Sequence, residues 1–202
     1  KFKAYAEKIA KAALAAKPAD LDALTAADAE GETVEAVVTD AIHTLGENIQ
    51  LARFAVVEGG AVSSYIHGGG KIGVLVEVKG GDDELGKDIA MQVAAANPSY
   101  LNRTEVPQAE IEHEKEVLAV EARNEGKPEK IIEKMVLGRI NKYYKEVCLV
   151  DQEFIKDGDL TIAKLLKSKN EAVLRFARFQ LGEGIEKKQD DLAAEVAKQL
   201  NQ

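Results

Sequence analysis

Tryptophan is missing from this sequence, and cysteine occurs once, at Cys148. A single thiol excludes an intrachain disulfide, which fits a reducing compartment such as a cytosol. With only three histidines beside that cysteine, no metal-ligand spacing is present. No apolar run approaches the roughly 18 residues of a membrane-spanning helix, and no signal peptide is visible. A basic excess is also lacking. Lys and Arg number 27 against 35 Asp and Glu, a net charge of −8, which argues against nucleic acid as the main partner. What is there is 46% hydrophobic and 31% charged residues over 202 positions, enough for a core under a well-solvated surface. The sequence opens on Lys1 rather than Met, already in helical pattern, so a natural segment is expected before it.

Phe2, Tyr5, Ile9 and Ala13 recur at helical spacing, and Lys17-Pro18 ends that helix. Val34, Val37, Val38, Ala41, Ile42 and Leu45 predict a second helix, with Gly46 as its stop and His43 on its solvated side. "NIQLARFAVVEG" (48–59), "AVSSYIH" and "KIGVLVEVK" read as strands. In the last, Ile72, Val74, Val76 and Val78 share one face.

Between two of these strands lies His67-Gly68-Gly69-Gly70-Lys71. Such a run could belong to an esterase oxyanion hole, but no G-x-S-x-G elbow accompanies it. It could cradle phosphate, but a helix N-terminus would have to follow, and here a strand follows. A hairpin turn is the expectation. No acid and base stand at catalytic spacing in any motif, so the chain reads as a non-enzyme without a cofactor or metal.

Asp82, Asp83 and Glu84 open a further helix with Leu85, Ile89, Val93 and Ala96 inward, Met91, Gln92 and Ala95 flanking, and Asn97-Pro98 as its end. Residues 105–147 predict an antiparallel helical hairpin turning at Gly126-Lys127-Pro128, with Pro128 at the first helical position. Ile111, Leu118 and Ala122 would face Ile132, Met135 or Val136, and Tyr143 along a narrow seam, so the hairpin should project from the body. His113 reads as solvated. A strand ("EVCLVDQEFI"), a helix (Thr161 to Lys169), a strand ("AVLRFARFQL") and a helix from Asp190 to Leu200 complete the chain. "LARFAVVEGG" (51–60) echoes "FARFQLGEGI" (176–185) at an offset of 178 − 53 = 125 residues. Two related α+β subdomains with small antiparallel sheets, separated by the inserted hairpin, would explain the echo.

The strings "GENIQLARFAVVEG", "YIHGGGKIGVLVEVKG", "DIAMQVAAANPSYL", "GKPEKIIEKMVLGR" and "FARFQLGEGIEK", in this order, resemble bacterial elongation factor Ts essentially from Lys1 to Gln202. The resemblance implies a core of two subdomains (1–104 and 148–186), a coiled-coil hairpin (105–147) and a C-terminal helical module (187–202). It implies a cytoplasmic guanine-nucleotide exchange factor that binds the GTPase elongation factor Tu and releases GDP, without direct contact to nucleic acid or membrane. Self-association through the hairpin, as a scaffold or homodimer, is the alternative. The family's Thr-Asp-Phe-Val segment, which displaces the partner's magnesium, has no counterpart here.

By the same resemblance the partner would be met by the helix at Ile89, Met91, Gln92 and Ala95, by the loop at Phe154 and Ile155, and by the C-terminal helix at Leu192 and Val196. The family often has His where this chain has Gln92, so no imidazole role transfers. The residue pattern alone leaves two other readings open: a plain helix flank for Met91, Gln92 and Ala95, and core packing for Phe154 and Ile155.

Overall fold

The computed structural model describes residues 1–80 and 82–184. The expected helix from Asp190, and with it Leu192, Val196 and the module 187–202, lies outside them. Helix α1 (Phe2–Ala16) ends at Lys17 in a left-handed conformation just before Pro18. A short helix α2 (Leu21–Thr25), capped by the Asp20 carboxylate on the Ala23 N–H, follows. Strands β1 (Asp28–Ala29) and β2 (Glu32–Thr33) form a minimal hairpin. Helix α3 (Val34–Leu45) starts on the Thr33 side-chain cap and stops at Gly46, as the periodicity predicts. Ala12, Ala13, Leu24, Val34 and Val37 bury their side chains together between these elements.

Residues 48–58 do not form the expected strand. They pair with no strand among the described residues and lay Leu51, Phe54 and Val56 on the helical cluster. The apolar alternation is met by side-chain packing, and a hydrogen-bonded ladder never forms.

Strands β3 (Ala61–His67) and β4 (Ile72–Val78) make the predicted antiparallel hairpin, His67 opposite Ile72. Gly68, Gly69 and Gly70 all have positive φ, and the Gly70 and Lys71 N–H groups donate to the His67 carbonyl. Three successive left-handed residues are what glycine permits and other residues resist. Helix α4 (Asp83–Ala96) packs across the face of β3 and β4. Its Gly86 sits so close to β3 that a Cβ there would meet the Ser63 Oγ at 2.2 Å.

Helices α5 (Gln108–Asn124) and α6 (Glu129–Val147) form a helical hairpin. Gly126 and Lys127 N–H groups return to the Arg123 and Ala122 carbonyls, with Gly126 at φ +74°, a Schellman stop. Pro128 stands one residue ahead of α6 instead of within it. Ile111, Ala122, Ile132 and Ile140 are buried in the seam, and Arg139 bonds Glu121 across it.

The expected strand 146–155 is largely replaced. Helix α6 runs through Val147, a 3-10 turn covers Leu149–Asp151, and only β5 (Glu153–Phe154) is extended. Cys148 and Leu149 are both buried, so this apolar run is a turn under the hairpin, held by the Leu149 N–H on the Tyr100 carbonyl. Strand β6 (Asp157–Thr161) pairs with β5. Helix α7 (Ile162–Ser168) and strand β7 (Val173–Gln180) follow as predicted.

Strand β7 joins β4 with Val76 opposite Phe176, giving the sheet order β3-β4-β7. The sheet therefore takes strands from both sides of the hairpin in sequence. One buried cluster runs from Ala61 through Val76, Ile89, Val93, Leu149, Phe154 and Ile162 to Val173. The architecture is α+β with small antiparallel sheets.

Candidate functional site

The site begins on α4, which the Asp82 carboxylate caps by accepting from the Leu85 N–H. That bond, first, and the nearby Lys169 ammonium hold the Asp82 carboxyl below its usual range. With the helix fixed, its residues divide by face. Ile89 is 0% exposed and belongs to the core. Met91 is half-buried and Ala95 exposed. Gln92 is 1% exposed, so it faces neither solvent nor core hydrocarbon alone.

Gln92 is instead hydrogen-bonded to the β5 region. Its Nε2 donates to the Gln152 Oε1 (3.2 Å) and the Glu153 carbonyl (3.1 Å), and its Oε1 accepts from the Ile155 N–H (2.9 Å). Gln152, itself buried, donates from Nε2 to the Glu146 carbonyl near the end of α6 (2.9 Å). Lys156 reaches back to Asp88 on α4 at 2.6 Å. Phe154 is buried in the main core, whereas Ile155 is 45% exposed. Two stretches about 60 residues apart, α4 and 152–156, thus share one surface, with Ile155 outward and Phe154 as its anchor. A cleft of about 550 Å³ opens there between Gln92, Ile155, Lys142, Lys145 and Glu146.

Gln152 is the residue that the sequence did not single out. A pair of glutamines 60 positions apart leaves no local periodicity to find, and only the fold brings them together.

The hairpin base is set by another polar cluster. Tyr100 donates to the Glu110 carboxylate at 2.6 Å, and the Tyr143 hydroxyl donates to its other oxygen. These two bonds hold the Glu110 carboxyl below its usual range, while burial and then Glu110 push the Tyr143 phenol up. Beside them, burial pushes the Cys148 thiol up to about 11, so it stays protonated and unreactive near neutral pH. His67 is exposed at the turn, within 3.0 Å of the Tyr65 hydroxyl, and His43 and His113 are exposed on their helices. Among the described residues no group of His, Cys, Asp and Glu could hold a metal ion. A second cleft of about 470 Å³, lined by Tyr5, Ile9, Val38, Leu51, Phe54 and Phe179, is mostly hydrocarbon.

Binding, through apolar and backbone contacts on a rigid surface, is what such an arrangement can do. Residues 1–183 match the family described as elongation factor TS. The chain belongs to the elongation factor Ts family. It is 49% identical to elongation factor Ts of Syntrophotalea carbinolica, covering 97% of this chain and 70% of that protein. It is 50% identical to elongation factor Ts of Clostridium botulinum (strain Eklund 17B), covering 98% and 70%. A third relative, elongation factor Ts of Halorhodospira halophila, is 46% identical over 98% of this chain and 68% of its own length. Guanine-nucleotide exchange in translation elongation is the function of the family. No described helix is long and apolar enough to cross a membrane.

Proposed function

We propose that this chain binds elongation factor Tu through the surface where α4 meets residues 152–156, and so promotes GDP release in the cytoplasm. Met91, Ala95 and Ile155 make the outward contacts. Ile89 and Phe154 support them from the core, and Leu192 and Val196 add a second contact from the C-terminal module at 187–202. The hairpin at 105–147 acts as a coiled-coil arm between the core subdomains 1–104 and 148–186. The observation that carries this reading is the buried Gln92, which bonds the backbone on both sides of Phe154 and leaves Ile155 facing out. An exposed aliphatic side chain on so firmly held a turn suits a protein contact: little is lost in ordering it on binding.

The test loads elongation factor Tu with a fluorescent GDP and follows its release. The 202-residue chain should form a complex and speed release, and Ile155→Asp should abolish the gain while leaving the melting temperature within about 2 °C, as expected for an exposed site. A chain that neither binds nor speeds release sinks the proposal.

A further inference from the structure

Gln92 does not point at the surface it helps to build. At 1% exposure its carboxamide lies beneath the turn at the floor of the cleft, and three of its hydrogen-bonding positions are filled from inside the chain. Two of those bonds go to the Glu153 carbonyl and the Ile155 N–H, groups that lie on the same edge of an extended strand. Phe154, between them, pairs with Asp157 on the other edge. The carboxamide therefore completes the free edge of β5 in the way a neighbouring peptide group would. The third bond passes to Gln152 Oε1, and Gln152 Nε2 passes on to the Glu146 carbonyl of α6. Gln152 is only 5% exposed, so the bond between the two carboxamides is buried, and the three bonds from them to the backbone are part-buried at the edge of the cleft.

We infer that Gln92 is a positioning residue: with Gln152 it forms a buried amide relay that fixes the Ile155 turn at the geometry elongation factor Tu meets, and ties that turn to the base of the hairpin. The claim rests on the contact surface proposed above. The chemistry is specific to a carboxamide. The three bonds need two donors and one acceptor on one planar head, which glutamine supplies. A neutral imidazole has one donor and one acceptor, and an ionised carboxylate has no donor. An isosteric leucine fills the volume but leaves the part-buried Glu153 carbonyl and Ile155 N–H without these partners, which favours release of the turn. The exposed Lys156–Asp88 pair is too weak a strap to hold it alone.

The experiment uses the 202-residue chain and elongation factor Tu bound to GDP. Gln92→Leu, Gln152→Leu, Ile155→Asp and Val37→Ala are compared by calorimetric Kd, by melting temperature and by hydrogen exchange at the Ile155 amide. Val37 is buried in the separate cluster of α1 and α3, and serves as a control for lost stability. Gln92→Leu should raise Kd about tenfold and speed Ile155 exchange by at least as much. Gln152→Leu, which removes the two bonds between Gln92 and the Glu146 carbonyl but spares those to Glu153 and Ile155, should do the same by a smaller factor. Val37→Ala should lower the melting temperature and leave both readings unchanged. A Kd shift for Gln92→Leu no larger than that for Val37→Ala, or unchanged Ile155 exchange, overturns the relay. Should Gln92→Leu fail to fold, Gln152→Leu decides by the same two readings. If Ile155→Asp weakens binding while the glutamine variants do not, the relay alone falls. If Ile155→Asp binds like the parent, the contact surface falls and takes the relay with it.

Discussion

Residues 51–60 and 176–185 share five of ten positions in sequence, yet 51–57 and 176–180 end in different states. "FARFQ" lies in β7, hydrogen-bonded along β4. "LARFAVV" lies in an irregular segment that pairs with no strand among the described residues. The two also meet. The Arg53 guanidinium sits 4.0 Å from the centre of the Phe179 ring and donates to the Arg178 carbonyl (2.8 Å) and Glu183 (2.6 Å). In the other direction Arg175 donates to the Glu58 carbonyl and to Glu77, the latter at 2.6 Å. Side chains stitch together two segments whose backbones never pair. The lesson is that strand pattern records suitability for a pleated, half-buried surface, and a partner edge decides whether a ladder forms.

The largest effect should come from proline. Scanned through 174–179, it should cost about 3 kcal/mol or more wherever the N–H faces β4 and much less at the alternate positions. Scanned through 51–56, it should show no period of two; a matching alternation there would erase the contrast. Phe54→Ala comes next. Half-buried against the α1 and α3 cluster, it should lose about 2–3 kcal/mol in denaturant melts, less than a fully buried phenylalanine. A loss near zero would mean that the segment is not held by its side chains. Arg53→Ala should be milder, at most about 1 kcal/mol, since its contacts are largely solvated.

The smallest effect is on acidity. The Arg53 hydrogen bond, followed by that of the Gln180 N–H, holds the Glu183 carboxyl below its usual range. A depressed carboxyl adds stability above its unfolded pKa and loses it as pH falls through the folded one. In an NMR titration Arg53→Ala should move the Glu183 midpoint up toward the ordinary carboxylate value. An unmoved midpoint would show that Arg53 does not join the segments in solution.

Helices α3, α4 and α7 were legible because local rules agree: periodicity, a capping Asp or Thr, and a Gly or Asn stop; α1 was legible from its periodicity and the Lys17-Pro18 end, and the β3–β4 hairpin from its alternation around the glycine turn. The glycine turn was legible for the same reason. Residues 146–155 were not, because an apolar run of that length suits a buried turn as well as a strand. Helix α2 is too short for periodicity to show. At the site, the pattern of α4 separates Ile89 from Met91 and Ala95, but polarity alone made Gln92 look like a flank residue. Its burial follows from a backbone edge that arrives 60 residues later, together with Gln152.

The sheet order β3-β4-β7 has a consequence in time. From Val78 to Val173 is 173 − 78 = 95 residues, so β4 must wait for its second neighbour while the whole hairpin is synthesised. At about 5–20 residues per second, the nascent chain carries an open strand edge for roughly 5–20 s, with α4 able to shield the face of the sheet but not that edge. An unpaired edge is a template for other strands. The hairpin needs only local contacts to form and can fold within that interval, whereas the sheet cannot close until β7 emerges. The inserted arm thus sets how long the newborn protein remains open to mispairing.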